Sequence, residues 1–146
     1  MKKIFTFISI TSLLTSCYKE NTIMPDLILE SKGQVAQIAV FWAGTNATSK
    51  ITTITVDAGT SVPCNVEYTS EIPVKDIKLY TANTSTVLET IPASAAKWDA
   101  KLRTYSVVFN SVKASAVKAG RVLVQAEIET TNGLLTNRSL ITIISR

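Results

Sequence analysis

Hydrophobic and polar residues alternate with a period of two along most of the chain beyond residue 33. Successive side chains of a β-strand point to opposite faces, so this pattern is typical of a strand that buries one face. The clearest run is 122–129, and Val124 lies at its centre, so we expect Val124 in the middle of a sheet. Shorter runs of the same kind occupy residues 36–42, 52–56, 62–68, 76–80, 105–110 and 139–144.

Turn-forming residues separate these runs, as at Asp57-Ala58-Gly59 and Asn132-Gly133. The second of these is a hairpin signal, although the loop there is expected to run several residues longer. Helical periodicity is limited to residues 93–96 and 112–119, and each stretch holds about one turn. Strands with one apolar face bury that face against a second sheet. We therefore predict an all-β fold, an antiparallel β-sandwich of about seven strands.

Two residues are expected in the interior of this sandwich. Cys64 lies on the inward face of its run, and without a histidine to activate it we interpret it as a small buried apolar side chain. Trp42 is in phase with Ile38 and Val40, which places it in the core. Tyr80 projects opposite Ile77 and Leu79 and is expected on the exposed face.

The amino end has the features of a secretory signal. Met1-Lys2-Lys3 is positively charged, and residues 4–14 are mostly apolar. That run is shorter than the ~20 apolar residues that span a bilayer. The small residues Thr15 and Ser16 then precede Cys17.

Leu14-Thr15-Ser16-Cys17 resembles the lipobox of bacterial lipoproteins, in which a leucine and two small residues precede an obligatory cysteine. The resemblance implies that residues 1–16 are a signal peptide, that Cys17 carries diacylglycerol, and that the new amino end is acylated. It also implies anchoring in the outer membrane, since two or three acyl chains make attachment long-lived.

Residues 17–32 are interpreted as the lipidated cysteine and a tether, because the stretch from Tyr18 to Thr22 is short and polar. A lysine followed by an acidic residue just after the cysteine is similar to lipoproteins of Bacteroidota, where acid-rich versions direct export to the cell surface. Here only Glu20 is acidic, so the periplasmic and the cell-surface face both stay open.

Charge excludes nucleic acid as a partner class. Removal of the signal with Lys2 and Lys3 lowers the 15 basic residues to 13, against 11 acidic residues, so the formal charge falls from +4 to +2. The basic residues are scattered singly, which leaves no electrostatic footprint for a phosphate backbone. Lipidation of Cys17 leaves Cys64 alone, so no intrachain disulfide is expected.

The end of the chain resembles the last hairpin of bacterial Ig-like domains, which run a glycine into an alternating strand, turn at Asn-Gly and close with an apolar strand. The matching residues are 119–128, Asn132-Gly133 and 139–143. Residues 56–62 resemble the early turn of such domains. The resemblance covers residues 33–146 and implies an Ig-like or cadherin-like sandwich. The cysteine pair of antibody domains and the Asp-x-Asp calcium sites of cadherins are absent from the sequence.

The sequence contains no histidine, which removes Ser-His-Asp and Cys-His arrangements and histidine-bearing zinc sites. Glu127 and Glu129 lie two apart on one strand face, about 7 Å apart by strand rise, a separation seen in glycosidases. That face also carries Gln125 and Arg121 and is interpreted as solvated. We expect no enzyme activity, no cofactor and no metal.

Trp98 and Tyr80 are the candidate ligand-binding residues. Trp98 is flanked by charged residues and is predicted in a loop, where it either stacks on a sugar or a partner, or folds back to plug one end of the sandwich. The plug is the interpretation we favour. The sequence therefore predicts a lipid-anchored, non-catalytic binding or scaffolding module of the cell envelope, an accessory of a larger complex. The alternative is a surface glycan-binding lipoprotein of a polysaccharide-uptake system, with Trp98 and Tyr80 as its platform.

Overall fold

The computed structural model describes residues 35–146, which form nine strands and one short 3₁₀ turn. The signal peptide, the lipobox, Cys17 and the tether predicted above lie outside these residues. The elements are β1 (Gln37–Ala43), β2 (Thr53–Val56), β3 (Cys64–Thr69), β4 (Val74–Thr81), β5 (Val87–Pro92), the 3₁₀ turn (Ala93–Ala95), β6 (Lys97–Asp99), β7 (Thr104–Phe109), β8 (Arg121–Thr130) and β9 (Ser139–Ser145).

The strands form two sheets that pack face to face, so the predicted all-β sandwich is confirmed. The first sheet has the order β1-β3-β7-β6 and the second the order β2-β9-β8-β4-β5. All neighbours are antiparallel except β2 and β9, which are parallel. Immunoglobulin sandwiches place strands A, B, E and D opposite G, F and C. The order observed here supports the Ig-like type, which remains a prediction.

Alternating residues from both sheets fill the space between them, as the period of two predicts. Val124 is fully buried and pairs with Thr81 on one side and Ile141 on the other, so it lies in the middle of its sheet as predicted. Cys64 is likewise fully buried, on the inward face of β3.

A β-bulge changes the face on which Trp42 lies. The register between β1 and β3 shifts between Ile38 and Val40, so Phe41 and Ala43 face the core. Trp42 is buried, but it lies on the outer face of the sheet opposite Asn65. Trp42 is therefore buried, as predicted, but it lies outside the cluster between the two sheets, because one extra residue reverses the phase of the strand.

Nine strands replace the expected seven because β5 and β6 have no alternating pattern. The pairing of β4 with β5 shifts in register beside Leu79, and the partly buried residues of β5, Leu88 and Ile91, are three apart. Strand β6 has three residues, all exposed. The predicted turn of helix at 93–96 is present as the 3₁₀ turn, whereas residues 112–119 are not helical.

The predicted turns form as the residue types require. Gly59 and Gly133 both adopt positive φ, where a side chain would be strained. The connection from β8 to β9 spans residues 131–138, longer than a tight hairpin, as expected. Within residues 35–146, no helix is long and apolar enough to cross a membrane.

Candidate functional site

Trp98 is exposed on an edge strand, so the expectation of a loop position and of a buried plug is wrong. It lies in the middle of β6, directly opposite Tyr105 of β7, and 52% of its surface is accessible. The carboxylate of Asp99 accepts hydrogen bonds from the backbone N–H groups of Lys101 and Leu102, at 2.8 and 3.0 Å. These bonds fix the turn that returns the chain into β7 and so set the register that pairs Trp98 with Tyr105.

Three aromatic rings form a ladder across β6, β7 and β3. The ring centroids of Trp98 and Tyr105 lie 4.7 Å apart with planes tilted by 53°. Those of Tyr105 and Tyr68 lie 5.4 Å apart and are stacked at 23°. Burial, and next the neighbouring Tyr105 hydroxyl, raise the pKa of Tyr68 to about 12, so this hydroxyl stays neutral. The ladder runs from a buried ring, Tyr68, to an exposed one, Trp98.

A cleft of about 380 Å³ opens beside this ladder, at the end of the sandwich where the two sheets separate. We call it the aromatic cleft. Tyr68 and Tyr105 line it from one sheet, Val74 of the other sheet and Ala93 of the 3₁₀ turn line it opposite, and the β3–β4 loop, residues 70–73, closes its side. The loop is held by a hydrogen bond of 2.6 Å from the Ser70 hydroxyl to the carbonyl oxygen of Ile72. Ligand sites of proteins are mostly apolar clefts with a few polar groups, and this one has that composition.

A second depression, of about 340 Å³, continues from the aromatic cleft past Ser70 and Glu71 to Val35 and Gln37. Gln37 is the first residue of β1 and pairs with Thr69. The described chain therefore begins at the same end of the sandwich as the aromatic cleft.

The strand and turn that carry Trp98 also carry three basic residues. Lys97, Lys101 and Arg103 are exposed and belong to the same hairpin as Trp98 and Tyr105. We call residues 97–105 the Trp98 hairpin. Arg103 has a φ of +56°, so the backbone turns sharply just before β7 begins.

Tyr80 does not join this site. It does project opposite Ile77 and Leu79, as predicted, but it is only 8% exposed and lies in the other sheet from Trp98. Its hydroxyl donates a 2.9 Å hydrogen bond to Glu127 Oε1, and the Arg138 guanidinium lies 4.3 Å from the centre of its ring. Burial first, and then the bond to Glu127, raise the pKa of the Tyr80 hydroxyl. The expected exposure of Tyr80 and its role in a shared platform are therefore wrong.

The carboxylates of Glu127 and Glu129 are each engaged by cations, so the expectation of a solvated face is wrong at Glu127. Glu127 is 7% exposed and accepts a 2.8 Å bond from Nε of Arg138 as well as the bond from Tyr80. Glu129 accepts bonds from Lys75 and Lys78, at 2.8 and 2.6 Å. Those two bonds lower the pKa of Glu129 to about 2. Both carboxylates are therefore engaged in ion pairs.

Cys64 is also unsuited to act as a nucleophile. Its thiol lies in the core, and burial, with a smaller effect from Glu89, raises its pKa to about 12. A thiol with so high a pKa is neutral and unreactive at physiological pH. Among residues 35–146, no group of three or more Cys, Asp and Glu residues is close enough to hold a metal ion.

The residues that sequence reasoning missed are Tyr105 and Tyr68. Both lie in runs with a period of two, 62–68 and 105–110, at an end of the sandwich that is open. One sequence signal could have revealed Tyr105. Trp98 and Tyr105 lie on either side of the turn at 100–103, a spacing that pairs them across a hairpin.

Comparison with known proteins adds little to this description. No protein-family model matches the chain, and no curated protein matches its sequence. The crystal structure of a Niemann-Pick type C2 protein from Japanese carpenter ant is similar, with a TM-score of 0.43 and 10% identity over 77% of this chain and 94% of that chain. A likeness this weak carries no argument about function, which is therefore argued from the site.

Proposed function

We propose that this protein is a non-catalytic binding module of the bacterial cell envelope, anchored by lipid at Cys17, and that its aromatic cleft binds carbohydrate. The observation that carries the proposal is the exposed Trp98 ring, which lies against Tyr105, a residue that lines the cleft. Aromatic rings bury a large area when a partner covers them and therefore contribute strongly to binding energy.

The chemistry of the cleft suits a sugar. A pyranose ring presents an apolar face of C–H groups and a rim of hydroxyls. The exposed parts of the Trp98 and Tyr105 rings match the apolar face. Within the cleft, the Ser70 hydroxyl, the Glu71 carboxylate and loop carbonyls are partners for the rim. A volume of about 380 Å³ falls within the ~300–1,000 Å³ range of small-molecule sites.

A binding role is further supported by the state of the reactive side chains. The carboxylates two apart on β8 are neutralised by Lys75, Lys78 and Arg138, and the only described thiol is buried. None of these groups lines the aromatic cleft.

The anchor is supported by the sequence of residues 1–17. Seventeen residues lie between Cys17 and Val35. A chain of that length spans at most about 60 Å, which would keep the cleft near the membrane. Replacement of Cys17→Ala tests the anchor. We expect the wild type to incorporate a palmitate analogue and the variant to accumulate as an unlabelled precursor. Equal labelling of the two proteins would overturn the lipoprotein assignment.

Affinity electrophoresis in gels that contain single polysaccharides tests the binding site. We expect at least one polysaccharide to retard the wild type and Trp98→Ala to migrate freely in the same gel. Leu140→Ala is the matched control, because Leu140 is an exposed apolar side chain of β9 in the other sheet. If the wild type and both variants migrate equally in every polysaccharide, the carbohydrate assignment is wrong, and binding of a protein partner becomes the function to test.

A further inference from the structure

The described chain begins at the end of the sandwich where the aromatic cleft opens. Gln37, at the start of β1, pairs with Thr69 at the end of β3. The turn at 100–103 lies at this end as well, because Tyr105, just after the turn, pairs with Tyr68, just before Thr69. The connection to the proposed lipid anchor therefore joins the domain at the same end as this turn.

The turn at 100–103 exposes an apolar side chain between two cations. Leu102 is 52% exposed, and Lys101 and Arg103 flank it in the sequence. Neither cation forms an ion pair with any residue from 35 to 146. The Asp99 carboxylate holds the turn by accepting bonds from the backbone N–H groups of Lys101 and Leu102. None of the residues 100–103 lines the aromatic cleft, so this feature is separate from the proposed sugar site.

A second exposed leucine lies at the same end. The connection between β8 and β9, residues 131–138, is there because the end of β8 pairs with the start of β4, which follows the loop at 70–73. Leu135 in this connection is 51% exposed. The connections at 70–73, 100–103 and 131–138 carry three basic residues and one acidic residue, Glu71. This end of the domain thus combines exposed leucines with an excess of positive charge.

We propose that this end of the sandwich contacts the surface of a phospholipid bilayer with anionic head groups. Leu102 enters the head-group layer, and Lys101 and Arg103 pair with lipid phosphates. Protein segments that bind at membrane interfaces combine apolar side chains, which enter the boundary between head groups and acyl chains, with basic residues that attract anionic lipid. The inference rests on the lipid anchor of the proposed function and adds an orientation of the domain to it.

The anchor makes so small a contact effective. One leucine and two cations are too few to hold a free protein at a membrane, since even a single acyl chain holds one only marginally. In an anchored protein the second contact is intramolecular, and its effective concentration is high. The chain between Cys17 and Val35, which spans at most about 60 Å, allows the domain many orientations. Contact through 100–103 selects the one in which the aromatic cleft opens beside the head groups.

A fluorescent label on the full, lipidated chain tests this orientation. Leu102→Cys supplies a thiol for the fluorophore NBD. Cys64 does not compete for the label, because burial raises the pKa of its thiol to about 12. Val117→Cys is the matched control. Val117 is 70% exposed and precedes Lys118, but it lies in the connection from β7 to β8, at the opposite end of the sandwich.

The labelled proteins are inserted from detergent into preformed vesicles of phosphatidylcholine and phosphatidylglycerol, in which some head groups carry a nitroxide. We expect the nitroxide to quench the label at 102 at least about twofold more strongly than the label at 117. Iodide in the buffer should quench the label at 117 more strongly than the label at 102. Thermal melting checks that each labelled protein is folded.

Two double variants test the role of the cations. Lys101→Gln with Arg103→Gln should remove most of the nitroxide quenching at position 102, and high salt should do the same, because both weaken attraction to lipid phosphates. The control, Lys113→Gln with Lys118→Gln, removes equal charge from the connection at the opposite end and should leave the quenching unchanged. Equal quenching at position 102 in anionic vesicles and in vesicles of phosphatidylcholine alone would overturn the pairing with anionic lipid.

The outcomes separate this inference from the proposed anchor. A protein that does not float with vesicles at all would overturn both the anchor and the contact. Vesicle-bound protein with equal quenching of the two labels, or with stronger nitroxide quenching at 117, would overturn the contact and leave the anchor in place. A label at 102 that the nitroxide does not reach and iodide quenches freely would likewise overturn the contact, and would leave Leu102 available to a protein partner.

Discussion

The rings of Trp98 and Tyr105 lie 4.7 Å apart across the β6–β7 hairpin, and Tyr105 in turn stacks on Tyr68 at 5.4 Å. Exposure falls steeply along this ladder, from 52% at Trp98 to 37% at Tyr105 and 2% at Tyr68. The same row of rings thus begins in the core and ends in solvent. The inner ring serves stability, and the outer ring is free to serve binding.

The ladder predicts that substitution of its inner ring destabilises the protein much more than substitution of its outer ring. Tyr68→Ala removes a fully buried ring and should lower the free energy of unfolding by about 3–5 kcal/mol. Trp98→Ala removes a half-exposed ring and should cost less than about 1 kcal/mol. Urea unfolding of both variants measures the difference. Similar losses of unfolding free energy for the two variants would mean that Trp98 stabilises the fold, which would contradict a role in ligand binding alone.

The fold class followed from the sequence because a buried sheet face imposes a period of two, and the runs around Cys64 and Val124 keep that period without interruption. Turn residues such as Gly59 marked where the runs end. These features are local, so a single sequence reveals them.

The site was only partly predictable because it depends on the register of strand pairing and on side chains, distant in sequence, that bury others. Trp98 was identified, but its pairing with Tyr105 follows from a three-residue edge strand without a pattern of its own. Tyr80 was placed on the correct face, yet Arg138, from 58 positions further along the chain, covers it. Trp42 was assigned to the wrong face because a bulge cannot be read from alternation alone.

Burial should decide the strength of two ion pairs that are otherwise alike. Arg138 and Glu127 lie 2.8 Å apart with 33% and 9% of their side chains exposed, and Arg146 and Asp57 lie 2.9 Å apart with 69% and 74% exposed. Glu127→Ala leaves Arg138 and the Tyr80 hydroxyl without their partner and should cost about 1–3 kcal/mol. Asp57→Ala should cost at most about 0.5 kcal/mol. Chemical unfolding checks both, and equal costs would contradict the structural role assigned to Glu127.

Glu129 should make stability depend on acid pH. Its pKa is about 2 in the folded protein, below the ordinary 4.5, because Lys75 and Lys78 bond to the carboxylate. A group with a lowered folded pKa stabilises the protein above its unfolded value and loses that contribution as pH falls. The melting temperature of the wild type should therefore exceed that of Glu129→Gln near pH 6, and the gap should close between pH 4.5 and 2.

The control for this experiment is Glu71→Gln, since Glu71 is exposed and makes no ion pair within residues 35–146. Its melting temperature should follow that of the wild type across the same range. A gap between wild type and Glu129→Gln that stays constant with pH would show that the two lysine bonds do not stabilise the folded state.

The fluorescence of Trp98 tests the central claim most directly. The chain has two tryptophans, and Trp42 is buried, so a Trp42→Phe protein reports Trp98 alone. We predict red-shifted emission that acrylamide quenches strongly, and a blue shift with reduced quenching when a polysaccharide that retards the wild type in gels is added. The Trp98→Phe protein, which reports Trp42, should not respond. Quenching of Trp98 that stays the same with every polysaccharide tested would contradict the account of the aromatic cleft as a carbohydrate site.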